Sequence, residues 1–222
     1  MVCRLLVSLF LLAGIATPSL AADDAAPAPA PAAVPGPTPQ VLMEQVSQSL
    51  LRDLDADRAA YRKDPARLRA LVDKYLLPNF DTEFAARRVL GKYWTTATPD
   101  QRKRFVNAFV GALMADYGDA LLEFTGDRLK ILPFRGDPAA TTATVRTLVK
   151  RDDGTEVPVN YSLRGTPAGW KAWDVTIEGI SYVKNFQTDF GAEINDKGLE
   201  HLIERLETQQ AAGGKAAPGK AG

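Results

Sequence analysis

Nucleophilic, acid–base or metal chemistry needs a histidine, a cysteine or gathered carboxylates, and this chain of 222 residues holds one histidine, His201, and one cysteine, Cys3. A serine triad or a zinc site would have to be built on His201. It stands between Glu200 and Leu202, with Glu204 on the same side of a helical repeat, which reads as an exposed helix face. The paired carboxylates Asp152 and Asp153 belong to "DDGTE" (152–156), which lacks the alternating ligand positions of a calcium loop and reads as a hairpin turn. No glycine-rich loop followed by Lys-Ser or Lys-Thr is available to cradle a nucleotide phosphate. The expectation is a protein with no catalytic residues, no metal ligands and no cofactor.

The two ends suggest where such a protein works. "MVCRLLVSLFLLAGIATPSLAADD" has one basic residue, Arg4, an apolar run from Leu5 to Ala16, and a small-residue site near Ala21 or Ala22. That is the pattern of a secretory signal peptide over 1–21, and the run is too short to span a bilayer. Cys3 precedes the run, so it is not a lipid-attachment cysteine, and its removal leaves an exported chain held by its hydrophobic core alone. The 27 basic residues less Arg4 leave 26 against 27 acidic ones, which gives no electrostatic footprint for nucleic acid. An Ala/Pro linker follows over 22–39 and a flexible tail closes the chain over 209–222, leaving one domain at 40–208. A periplasmic location is expected.

Periodicity places helices first. Leu42, Val46, Leu50 and Leu54 mark a helix over 39–57, and Asp64-Pro65 caps a second that carries Leu68, Leu71, Val72, Tyr75 and Leu76 and stops before Pro78. "FDTEFAARRVLG" gives a third, ending at Gly91. A fourth begins at Thr98-Pro99 and runs to about residue 123. It carries two adjacent apolar stripes, Phe105-Phe109-Leu113-Tyr117-Leu121 and Val106-Val110-Met114, as a helix buried between two layers does. Four strands follow at 128–134, 142–149, 156–163 and 171–178, joined by Asp153-Gly154 and "GTPAG". Their inward candidates are Val145, Val149, Val157, Val159, Tyr161, Leu163, Trp173, Val175 and Ile177. After Gly179 the chain returns to helical spacing through Val183, Phe186, Phe190 and Ile194, then Leu199 to Leu206. The fold expected is α+β, with helices packed on one face of a curved four-stranded antiparallel sheet.

The stretch "GWKAWDVTIEGISYVKNF" (169–186) condenses the puzzle: it is rich in aromatic and aliphatic surface and bare of reactive groups. Either the apolar faces cover one another in a dry core, or they enclose a cavity for an apolar ligand. Periodicity alone leaves both open.

A resemblance separates them. Val89-Leu90-Gly91 with Tyr93 and Trp94, then Thr98-Pro99-Asp100-Gln101-Arg102, then Tyr117-Gly118, and finally Gly169-Trp170 through Asp174-Val175 to Glu178-Gly179-Ile180-Ser181 stand in order over roughly residues 40–208. This succession resembles the MlaC family, the phospholipid-binding proteins of the Mla lipid-asymmetry system, also called the toluene-tolerance auxiliary family. The resemblance implies a soluble periplasmic ferry. Its cargo is phospholipid, its partners an outer-membrane lipoprotein–porin complex and the MCE-domain subunit of an inner-membrane ABC transporter. Two chains of about fifteen carbons exposed to water would cost on the order of 20 kcal/mol, so a carrier must enclose the tails and leave the headgroup wet. The cavity is expected between sheet and helices, lined by Tyr75, Leu76, Phe105, Phe109, Leu113, Tyr117, Val159, Tyr161, Trp173, Val175, Ile180 and Val183, with Ile180 foremost. Arg87, Arg88, Lys92, Arg102 and Arg104 form either a solvated face or a surface for acidic partners. One departure stands at Asn185-Phe186-Gln187, where many relatives carry an arginine after the aromatic. Two other readings remain beside the carrier of phospholipid: a carrier of another apolar cargo, and a ligand-free adaptor or scaffold.

Overall fold

Capping side chains and prolines set where the helices begin in the computed structural model, which describes residues 34–122, 125–137, 140–151 and 153–212, the side chains of 115–120 apart. The expected signal peptide, the linker up to residue 33, Asp152 and the tail from 213 lie outside the described residues. Helix α1 (Pro39–Ala56) starts with Thr38 accepting from the Val41 amide, and α2 (Arg58–Lys63) with Asp57 accepting from Ala60. Asp64 accepts from the amides of Ala66 and Arg67 to open α3 (Pro65–Tyr75), where Pro65 stands at a position whose N–H has no helical partner anyway. A 3-10 turn (Leu77–Asn79) leads to α4 (Thr82–Leu90), capped by Asp81. Gly91, at φ 54, releases the chain into the short α5 (Lys92–Thr96).

The long α6 (Pro99–Leu122) opens with a reciprocal capping box. The Gln101 amide donates to Thr98 Oγ1 at 3.2 Å, and the Thr98 amide to Gln101 Oε1 at 3.1 Å. Its two stripes serve two cores, as a helix apolar over so much of its circumference must. Phe105, Ala108, Phe109 and Ala112 join α4 and the two C-terminal helices, α7 (Tyr182–Lys197) and α8 (Leu199–Ala211). Leu122, with Met114 and Leu121, joins Leu50 and Leu54 of α1 and Leu68 and Leu71 of α3. In the first core Phe109 meets Phe186 and Phe190 edge-on, with ring centroids 5.3 and 6.1 Å apart. Helix α8 runs to Ala211, with Gln209 buried near its end.

The sheet is an antiparallel meander of five strands in chain order: β1 (Leu129–Ile131), β2 (Thr142–Lys150), β3 (Glu156–Thr166), β4 (Gly169–Ile177) and β5 (Ile180–Ser181). Four were expected, the first of them longer. The fifth exists because Glu178 (φ 51) and Gly179 (φ 86) both take the left-handed conformation, making a tight two-residue hairpin that sets Ile177 opposite Ile180. Two residues are too few to show alternation, so the segment reads as the start of a helix. At the other hairpin, the Gly154 amide donates to the Arg151 carbonyl and Thr155 donates to Asp153 Oδ1, which holds that carboxyl below its ordinary range.

The register departs from expectation once more. Ser162 pairs with Asp174 and Leu163 with Ala172, so Trp173 is the extra residue of a bulge. The bulge moves the alternation on by one: Val175 and Ile177 share a face with Tyr161 and Val159, but beyond it Ala172 and Trp170 take that face. Trp173, expected in alternation with Val175, instead meets Phe84 of α4 edge-on at 5.4 Å and lies under the Arg88 guanidinium.

Candidate functional site: the inner face of the sheet

Pairing across β2, β3 and β4 writes the inner face as rows of side chains: Ala143, Leu163 and Ala172; Val145, Tyr161 and Val175; Thr147, Val159 and Ile177. The first row is closed. Val34 and, from α1, Leu42 and Met43 pack over Leu163, Trp170 and Ala172. Along β4 the cover thins: Trp170 is 8% exposed and Ala172 7%, Val175 and Ile177 are half-buried, and Ile180 beyond the turn is 52% exposed. Exposure along β4 therefore rises from the Trp170 end to the β4–β5 turn, while Thr147, Val157 and Val159 of the neighbouring strands stay buried. The polar groups on the inner face are few. Thr147 is buried and donates to the Val159 carbonyl at 2.7 Å. Tyr161, in the middle of the central strand, is half-buried, and desolvation pushes its hydroxyl up to about 12.

The twelve residues expected to line a cavity fall into separate groups. Val159, Tyr161 and Val175 are neighbours on the inner face, and Ile180 stands at its open end. Phe105, Phe109 and Val183 are buried in the helical core, with Leu113 and Trp173 packed against it. Tyr75 and Leu76 sit together on the α1–α3–α6 core, where the Tyr75 hydroxyl donates to Asp53 at 2.6 Å and, with Lys74, holds that carboxyl below its usual range. The Tyr117 side chain lies outside the described residues. Ala143, Thr147, Trp170 and Ala172 belong to the same face and did not stand among the twelve. The Asp153-Gly154 turn fixes the β2–β3 register and hence Ala143 and Thr147; no local signal marks the bulge that turns Trp170 and Ala172 inward.

The groups that could carry other chemistry are occupied structurally. His201 Nε2 lies 3.8 Å from Glu193, which Arg205 holds with two hydrogen bonds of 2.8 and 2.7 Å. Among the described residues no three His, Cys, Asp or Glu side chains gather to hold a metal ion. Arg104 clamps Glu207 with bonds of 2.9 and 2.8 Å and also bonds Glu200, tying α6 to α8; it holds the Glu207 carboxyl below its ordinary range, and Gln101 with Arg104 does the same for Glu200. Arg102 donates to the Trp94 carbonyl and stacks on its ring, Lys92 lies over Tyr93, and Arg87 is exposed. Gln187, in place of an arginine, rests over Gly91: a Cβ at that glycine would stand 2.8 Å from Gln187 Nε2. An open groove of about 440 Å³ lies on the opposite, hydroxyl-rich face of the sheet, between Phe134 and Trp173 along Thr142, Thr144 and Ser162. Among the described residues no helix is long and apolar enough to cross a membrane.

Known proteins resemble this chain in sequence or in fold. A "Toluene tolerance protein ttg2D" from Pseudomonas putida is 30% identical over 72% of this chain and 75% of its own length. The "Intermembrane phospholipid transport system binding protein MlaC" of Haemophilus influenzae is 26% identical over 79% of this chain and 82% of its own. A phospholipid-binding protein from Ralstonia solanacearum, solved in complex with a phospholipid, matches with a TM-score of 0.73 at 24% identity, over 79% of this chain and 98% of that one, a likeness of fold. Residues 44–208 match the family described as MlaC protein, three quarters of the chain, from within α1 to within α8. The chain is a member of the MlaC family.

Proposed function

We propose that this protein is a periplasmic phospholipid carrier, and that it holds acyl chains along the inner sheet face with the headgroup in water at the β4–β5 turn. The observation that carries this reading is the gradient of cover along β4. Apolar side chains beneath helices stay part-accessible along a line that ends at the exposed Ile180, and the groups around it bear no reactive constellation. In a dry fold such residues would be covered, since each buried side chain of this size stabilises by about 1.5–3 kcal/mol. Family membership, the phospholipid-transport name of the Haemophilus relative and the phospholipid-bound Ralstonia protein support the cargo.

In this reading Val159, Tyr161, Val175 and Ile180 meet the chains directly. Tyr75, Leu76, Phe105, Phe109, Leu113 and Val183 build the helical cores that flank the sheet, Trp173 meets α4, and the expectation for Tyr117 falls on a side chain outside the described residues. The chain is a binding protein and not an enzyme. Its signal peptide occupies 1–21, and its partners are an outer-membrane lipoprotein–porin complex and the MCE-domain subunit of an inner-membrane ABC transporter. Exposed Arg87 with Arg88 and Lys92 is the cationic surface offered to acidic faces of those partners. Arg102 and Arg104, engaged within the fold, are left out of it.

A carboxylate at position 180 tests the reading, because it places a charge at the mouth of an apolar site without touching the packed core. Ile180→Glu is expected to keep the circular dichroism and melting temperature of the wild type while losing co-purified lipid on thin-layer chromatography. A folded Ile180→Glu protein that retains its lipid would contradict the placement.

A further inference from the structure

One stretch of the sheet's edge is left unpaired. On β2 the even-numbered residues turn their backbone groups away from β3 and toward β1. The Lys150 amide donates to the Arg128 carbonyl at 2.8 Å and the Leu132 amide to the Arg146 carbonyl at 2.9 Å, while Thr141, of the other phase, accepts from Gly165 at 2.8 Å. Beyond Leu132 the ladder with β1 stops. The Phe134 amide, next in phase and due opposite Thr144, donates instead to the Gln40 side chain of α1 at 2.7 Å. The N–H and C=O groups of Thr142 and Thr144 therefore face outward with no backbone partner among the described residues, and both threonines are exposed. The far edge of the sheet shows the ordinary remedy: β5 pairs with β4 at Thr176 and Ile177, and the Asp81 amide bonds the Ala172 carbonyl at 2.7 Å.

The open groove of about 440 Å³ takes its lining from both sides of this gap: Phe134, Arg135 and Gly136 from the diverging chain, Thr142, Thr144 and Arg146 from β2. Arg135 and Arg146 are exposed, no carboxylate lines the groove, and among the described residues neither arginine makes an ion pair. Arg104, Arg164 and Arg205, by contrast, are each held by a carboxylate. We propose that this edge takes an extended, acidic segment of a partner protein as an added strand beside β2. Thr142 and Thr144 each offer it one donor and one acceptor, so the pairing itself is with backbone. Charge supplies the preference. Residues of the added strand on the outer face stand beside Thr144 and Arg146 and are acidic; those on the other face stand beside Ala143 and Val145 and are apolar. A second copy of this chain fits less well, because pairing β2 with β2 about a two-fold axis would bring the arginines of both copies together. The site lies at the Trp170 end of the sheet, two strands from β4, so a partner held here leaves the Ile180 turn free.

The test selects binders to the mature protein from a random linear octapeptide library displayed on phage, then measures synthetic copies by isothermal titration calorimetry. The selected sequences are expected to alternate Asp or Glu with apolar residues. Methylating the backbone amides of one phase of such a peptide is expected to weaken binding about tenfold or more, and methylating the other phase to change it by less than about twofold, the signature of a paired strand. Thr144→Pro removes an edge donor and no bond to β3, and Arg146→Glu reverses a groove charge; each is expected to weaken binding about tenfold. No enriched sequence, binding blind to the phase of methylation, or equal binding by wild type and both variants overturns the proposal. A dimer in analytical ultracentrifugation that Thr144→Pro dissolves gives the edge to a second copy and overturns it too. So do phosphatidylglycerol vesicles bound by wild type and released by Arg146→Glu with no peptide selected, which give the groove to an anionic lipid surface. The methylation series uses wild type alone, so the test does not depend on the folding of a variant. No lipid cargo enters that series, and its failure leaves the carrier reading as it stands.

Discussion

Asp174 shows how one side chain can hold two layers together. It is 5% exposed, and it accepts from Ser181 Oγ at 2.6 Å and from the Val183 amide at 3.0 Å, so a carboxylate on β4 closes the first turn of α7. A negative charge at that end of a helix is favourable, and a buried amide left without an acceptor is costly. Asp174→Ala is therefore expected to lower the unfolding free energy by about 1–3 kcal/mol in urea titrations. A loss within experimental error would mean the contact is incidental. Asp174 is legible in the sequence only as the polar member of an alternating strand. Its role depends on Ser181 being folded back by the left-handed pair Glu178-Gly179, which no periodicity reveals. Ile180, by contrast, is marked in the sequence by the break at Glu178-Gly179, and the structure sets it at the open end of the inner face.

Among the elements, those with strong local signals are readable and those made by tertiary contact are not. The caps Asp64-Pro65 and Thr98-Pro99, the stop at Gly91 and the turn at Asp153-Gly154 each carry their own chemistry, and each marks a boundary of the structure. Helices α2 and α5, at six and five residues, are too short for an amphipathic repeat to register. The bulge at Trp173 is likewise silent, because alternation continues in type on either side of it. A further element-scale fact is the docking of the last linker residues: Val34 sits on the β3–β4 hairpin, where a Cβ at Gly165 would stand 2.3 Å from its Cγ2 atom. Gly165→Ala must push Val34 away. It is expected to destabilise by about 1–3 kcal/mol, and in a Val34→Ala background by clearly less, since the two residues share one contact. A double-mutant cycle in denaturant measures this; strict additivity would show that Val34 does not seal that end of the inner face.

For the molecule as a whole, the order of helices, antiparallel sheet and helices follows from patterning, and it produces a two-sided result. The helical cores shared by α6 close tightly around Phe105, Leu202 and Ile203, while the inner sheet face keeps one end uncovered. Which apolar residues end up in which of these environments is not legible, because a stripe looks the same whether it meets another stripe or a ligand. That is why Phe105 and Tyr161 stand side by side in expectation and lie in different places in the fold. A protein divided in this way suits cargo whose tails are buried and whose headgroup is wet, which is the central claim. Native mass spectrometry of the mature protein, purified without detergent, tests it most directly. The account predicts a stoichiometric adduct with the mass of a diacyl phospholipid. A bare protein mass that persists after incubation with phospholipid vesicles would contradict it.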